Sequence, residues 1–148
     1  MNKKISIACD HGGLELKDGL VRELSKQGFE VNDKGVFNHD SVDYPDYAQA
    51  VCKDVSSKTS DFGILVCTTG VGMSIAANKM KGIRAALVLN EDSAKFSRLH
   101  NNANVICFGQ KYVSVEDGVK YVNLFANTEF EGGRHERRVS KFMNFENL

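Results

Sequence analysis

The chain opens on a short apolar run, Ile5-Ser6-Ile7-Ala8-Cys9, which stops at the polar pair Asp10-His11 and the glycines Gly12-Gly13. Leu16, Leu20, Val21 and Leu24 then recur at helical spacing until Gly28, so strand, turn and helix form the first predicted unit. Phe29-Glu30-Val31 predicts a second strand, and the polar segment 38–46 predicts a loop feeding a helix that runs to about Lys58. Phe62 to Cys67 is apolar throughout, as a central parallel strand buried on both faces must be. Beyond the turn Thr68-Thr69-Gly70-Val71-Gly72 the pattern predicts a helix over Met73–Lys81, a strand over Arg84–Leu89 and a helix from Glu91 to about His100. A fifth strand over Val105–Phe108, a helix over 115–126 and a last helix starting near Arg134 complete the order. Parallel strands need crossover connections, and alternating helices supply them. The expected fold is therefore α/β: a three-layer, Rossmann-like open sheet of about five mainly parallel strands with helices on both faces.

Composition narrows the class. At 148 residues and 42% hydrophobic, the chain can bury a core without disulfides or a structural metal, and with one proline and no repeat or linker-like tract it reads as one domain, 1–148. Lys plus Arg number 19 and Asp plus Glu number 19, so no net charge draws the chain to nucleic acid or to an acidic membrane surface. The four cysteines, Cys9, Cys52, Cys67 and Cys107, form no CxxC pair and read as reduced thiols. No apolar stretch is long enough for a signal peptide or a membrane span, and the expected compartment is the cytoplasm.

Ligands of such sheets bind beyond the carboxyl ends of the strands. The polar residues falling there are Asp10 and His11, then Cys67, Thr68 and Thr69, then Asn90, then Gln110 and Lys111. In Cys67-Thr68-Thr69-Gly70-Val71-Gly72 two glycines let backbone N–H groups converge, and the helix start adds positive dipole that would favour an oxyanion or a thiolate. A tight turn beside a buried cysteine accounts for the same residues equally well. Gly70-x-Gly72 also begins a dinucleotide fingerprint, but Ile75 stands where its third glycine belongs. Asp10-His11 places a carboxylate beside an imidazole, although an aspartate capping the first helix explains that position too. His100 sits where a histidine simply complements a helix carboxyl terminus. Arg134 and Arg138, four apart on one helix face, suit a phosphate dianion or a solvated basic surface.

Taken in order, Cys9-Asp10-His11-Gly12-Gly13, Val42-Asp43-Tyr44-Pro45, Cys67 through Lys79, Gly82-Ile83-Arg84-Ala85, Ser97-Arg98-x-His100-Asn101, Asn104-Val105, Phe108-Gly109 and Glu131-Gly132-Gly133-Arg134-His135-x-x-Arg138-Val139 resemble the type B ribose-5-phosphate isomerases. The wider family includes allose-6-phosphate and galactose-6-phosphate isomerases. The resemblance implies that Cys67 moves a proton between adjacent sugar carbons, that His100 assists ring opening, and that Asp10 holds sugar hydroxyls. It implies catalytic and substrate-binding roles for Thr69 and for the turn of Thr68, Gly70, Val71 and Gly72, whose amides would meet the enediolate oxygen. Asn101 and Lys111 would contact substrate, and His11, Arg134 and Arg138 would hold the phosphate. No cofactor and no metal are implied. The implied assembly is a homodimer, or a tetramer of two such pairs, with active sites shared between subunits and the His100 region and last helix contributed in trans.

Two positions depart from the family pattern. Thr68 follows the cysteine where glycine is common, and a β-branched residue there would be strained if positive φ were required. Lys111 replaces an arginine, keeping charge but losing the bidentate fork. The expected activity is ribose 5-phosphate to ribulose 5-phosphate isomerisation in the pentose phosphate pathway. An isomerase of a six-carbon sugar phosphate and a non-catalytic sugar-phosphate sensor are the alternatives.

Overall fold

The computed structural model describes residues 3–148, so the first residues of the expected domain lie outside the described ones. Five strands, β1 (Lys4–Cys9), β2 (Glu30–Asp33), β3 (Phe62–Cys67), β4 (Ala85–Leu87) and β5 (Val105–Gly109), form one sheet in the order β2-β1-β3-β5-β4, with every pairing parallel. The connections are α1 (Leu14–Lys26), α2 (Tyr44–Ser56), α3 (Val71–Asn78) and α4 (Glu91–Leu99). Helices α5 (Val115–Asn127) and α6 (Arg134–Met143) and a 3-10 turn at Asn144–Asn147 follow β5. The expected three-layer fold is the one observed. From β1 the chain goes first to one side of the sheet and then, for β3, to the other, so the switch point lies between β1 and β3.

Alternation along the strands sorts the core into two layers. Ile5, Ile7 and Cys9 face α1 and α5 with Leu20, Leu24, Val122 and Phe125, whereas Ala8, Leu65, Cys67 and Cys107 face α2 and α3 with Val51, Cys52, Met73 and Ala77. All six residues of β3 are buried, as its unbroken apolar run requires.

Two boundaries differ from the periodic reading. β4 spans three residues at the sheet edge and is only half-buried, because an edge strand pairs on one side alone. α3 ends at Asn78, whose side-chain amide donates to the Ala85 carbonyl and accepts from the Ala85 N–H at 2.9 and 2.8 Å, turning the chain into β4. Lys17, fully buried, bonds Asp33 and Asp18 at 2.8 Å and so fixes the start of the loop that crosses the carboxyl end of β1. Such a charge is tolerable only because it is paired.

Candidate active site

β1 and β3 are adjacent and in register, with Cys9 opposite Val66, so Asp10 and Cys67 emerge side by side at the switch point. Asp10 does not cap α1: the N-cap is Gly13, and the buried Asp10 carboxylate accepts from the Gly12 N–H at 2.9 Å. The thiol of Cys67 accepts the Gly70 N–H at 3.1 Å. Gly70, at φ 81, is the N-cap of α3 and makes that turn possible; its position would place a Cβ 2.6 Å from Leu87. The Val71 N–H donates to the Thr69 hydroxyl at 3.3 Å. Two of the expected amides are thus engaged inside the turn, and those of Thr69 and Gly72 have no partner among the described residues. They sit at the positive end of α3, where an oxyanion is stabilised.

Thr68 does not have positive φ, so its β-branch carries no backbone strain. Its side chain occupies the space a Cβ at Gly12 would need, which locks the two loops together. Gln110 and Lys111 donate their N–H groups to the carbonyls of Cys67 and Thr68 at 2.9 and 3.1 Å, bringing Lys111 to the same edge. His11 is exposed, and its Nδ1 accepts the Val42 N–H at 3.3 Å, which leaves Nε2 for a ligand. Tyr44 covers Gly72; a Cβ there would stand 2.8 Å from its ring.

Not every polar residue at this edge is free for chemistry. Asn90 caps α4, accepting the Ser93 N–H at 2.8 Å in a reciprocal capping box. Gln110 bonds the Leu16 N–H and Glu15 at 2.9 and 2.8 Å. Glu15 also meets His39 at 2.6 Å, and these two hydrogen bonds pull its carboxyl down to about 2.

The remaining candidates lie at the opposite edge. α4 returns the chain toward the strand starts, where Arg84 bonds the Asn102 carbonyl and Asn104 just ahead of β5. His100 and Asn101 therefore precede β5, while Cys67 pairs with Gly109 at its end. The intervening strand alone spans at least about 13 Å. Arg134 and Arg138 are exposed on α6, whose buried side is His135 and Val139. His135 stacks on His100 with centroids 4.1 Å apart and planes 13° apart. Glu131 Oε2 stands 3.8 Å from Nε2 of each. Burial lowers the His135 basicity, His100 and Arg134 add to that effect, and Glu131 opposes it.

The thiols differ as their surroundings do. Burial pushes Cys9 and Cys52 up to about 12 and Cys107 well above its ordinary value, leaving these three as protonated core residues. Sequence reasoning assigned no role to Val42, Tyr44, Glu131 or His135. All four stand within the blocks that carry the family resemblance, and Glu131 and His135 are also four residues apart.

A thiol, a carboxylate and an open-amide turn at the switch point, with a two-arginine face elsewhere on the chain, define an α/β enzyme class built for proton transfer on a small anionic substrate. The family model described as Ribose/Galactose Isomerase matches residues 5–142. The chain belongs to this family. It is similar to ribose-5-phosphate isomerase B of Escherichia coli, with 46% identity over 93% of this chain and 92% of the relative. The solved ribose-5-phosphate isomerase B of Clostridium thermocellum superposes with TM-score 0.95 at 44% identity, covering 97% of each chain. That of Mycoplasma genitalium, determined with bound ribulose 5-phosphate, gives TM-score 0.92 at 43% identity over 97% of this chain and 96% of the other.

Proposed function

We propose that this chain interconverts ribose 5-phosphate and ribulose 5-phosphate, the step that joins aldose and ketose in the pentose phosphate pathway. The observation that carries the reading is the Cys67 turn, with sulfur, Asp10 and the open Thr69 and Gly72 amides held at one switch point. Once the furanose is open, the Cys67 thiolate takes the C2 proton and, after a proton has passed from O2 to O1 of the enediolate, returns its own to C1. The enediolate oxygen formed between these steps meets the Thr69 and Gly72 amides, while Asp10 orients hydroxyls. His100 moves the ring-opening proton. His11, Arg134 and Arg138 hold the phosphate, with Lys111 and Asn101 on the substrate, so that remote binding energy positions the reacting carbons.

The two halves of this residue set lie at opposite edges of one sheet, and a five-carbon phosphate does not bridge them. Two copies of the chain, each lending His100, Asn101, Arg134 and Arg138 to the other's Cys67, meet the requirement. Val71 and Ile75, one turn apart on α3, and Leu89 and Phe96 near α4 are 47%, 57%, 51% and 40% exposed, an apolar surface suited to such a partner. The proposed state is a homodimer, alone or paired into a tetramer, acting in the cytoplasm. Among the described residues no helix is long and apolar enough to cross a membrane.

The test is complementation. Cys67→Ala and His100→Asn, each inactive on ribose 5-phosphate, regain about a quarter of native activity when unfolded and refolded together, because half the dimers then hold one intact site. No recovery in verified mixed dimers would sink the shared-site arrangement. Conversion of neither pentose nor hexose phosphates by native protein that binds them would establish a sensor instead.

A further inference from the structure

Glu131 and His135 have no part in the proposed chemistry, yet with His100 they form a close cluster of metal-ligating side chains at the amino edge. One ligating atom each from His100, Glu131 and His135 lie within 4.8 Å of one another. His135 is 6% exposed, and its Nε2 is buried with no hydrogen-bond partner among the described residues. A buried nitrogen in that state calls for a ligand. The backbone builds the cluster deliberately: the Glu131 N–H donates to the Leu99 carbonyl at 3.0 Å and Arg98 Nε to the Thr128 carbonyl at 3.1 Å, tying the segment before α6 to the helix end that carries His100.

We propose that His100, Glu131 and His135 bind a zinc-class divalent cation, and that the bound ion inhibits the isomerase by withdrawing His100 from proton transfer. Two imidazoles and one carboxylate are a known zinc donor set with a fourth position open. His135 is the fixed ligand. His100 and Glu131, half-exposed, are the adjustable ones. Because the imidazoles stack in nearly parallel planes, ligation turns the His100 ring about its side-chain bonds until its lone pair converges with that of His135. Ligand atoms around tetrahedral zinc stand roughly 3.4 Å apart, so the 3.8 Å separations from Glu131 need only a small contraction. Arg134 and Arg138 on the same helix oppose a cation, which makes the site weaker than a structural zinc centre. The inhibitory role rests on the proposed function of His100; the binding itself does not.

Zinc ion titrated calorimetrically into the native protein, Glu131→Gln and His135→Asn separates these claims. The expected result is one ion per chain in the native protein and affinity weakened on the order of tenfold or more in each variant. Inhibition of ribose 5-phosphate turnover should follow the binding curve and reverse with chelator. Equal affinity in all three proteins would overturn the site. Glu131→Gln keeps size and shape, so the question is answered even if His135→Asn does not fold. Zinc bound through these residues without loss of turnover would overturn the inhibitory role and with it the His100 assignment. A native protein that binds zinc there but turns over no pentose phosphate would refute the isomerase reading and uphold the site.

Discussion

The two edges of the sheet carry different kinds of machinery. At the carboxyl edge the groups are set by backbone: Asp10 is tied to Gly12, Cys67 to Gly70, and the β5 exit to both Cys67 and Thr68. At the amino edge they are side chains of α6 and of the end of α4, with Arg134 and Arg138 exposed and the His135 ring buried on the other side of α6 with Val139. Proton transfer between adjacent carbons tolerates little displacement, whereas gripping a dianion through long guanidinium stems tolerates more. The contrast teaches how the proposed roles divide: the proton-transfer groups are set by backbone and the phosphate-holding groups by exposed side chains, and the proposed second copy is what joins them.

The largest expected effect breaks the reaction half alone. Cys67→Ala should lower kcat about 10³-fold while a phosphate-bearing ligand binds within a few-fold of native affinity by calorimetry. Equal loss of both would show that the edge contributes binding rather than proton transfer. Next comes the gripping half: Arg134→Ala or Arg138→Ala should lower kcat/KM roughly 10- to 100-fold, the value of a charge-assisted contact, mostly through KM and with a smaller fall in kcat as the phosphate loses its hold on the reacting carbons. A fall in kcat at constant KM would place the guanidinium at the reacting carbons instead.

A smaller effect reads the buried ring through pH. The native His135 value lies below the ordinary 6.5, so below that pH the unfolded chain binds more protons than the folded one, and stability falls as pH drops through 6.5 toward the native value. His135→Gln should therefore show a smaller Tm difference between about pH 7.5 and pH 5.5 than the native chain, measured by scanning calorimetry. An unchanged difference would mean that the imidazole is not held neutral. The smallest expected effect is Lys111→Arg, which should lower KM by about two- to fourfold by restoring a planar fork at the carboxyl edge. A rise in KM would show that the site is shaped around the ammonium.

Much of this contrast is legible in the sequence, unevenly. The β3 run from Phe62 to Cys67, the glycine turn after it and the helical spacing of Leu16, Leu20 and Leu24 signal themselves because each is a local pattern with a local cause. The extra length expected for β4 shows the limit, since Arg84, Val88 and Leu89 suit a strand but the sheet edge pairs only Ala85 to Leu87. Asn90 and Gln110 occupy active-edge positions, and only their hydrogen bonds show that they serve the scaffold. The Glu131 and His135 partnership with His100 was invisible, because it arises where the segment before α6 packs on the end of α4, some 30 residues earlier.

By itself the sequence determined the α/β class, the alternation of elements, the chemical groups available and the family resemblance, all of which depend on periodicity, turn chemistry and residue identity within short stretches. Only the tertiary structure decided that Asp10 and Cys67 become neighbours while His100, Arg134 and Arg138 stand at the far edge. Strand order and the direction in which each helix returns the chain set those distances, and both follow from packing over the whole sheet.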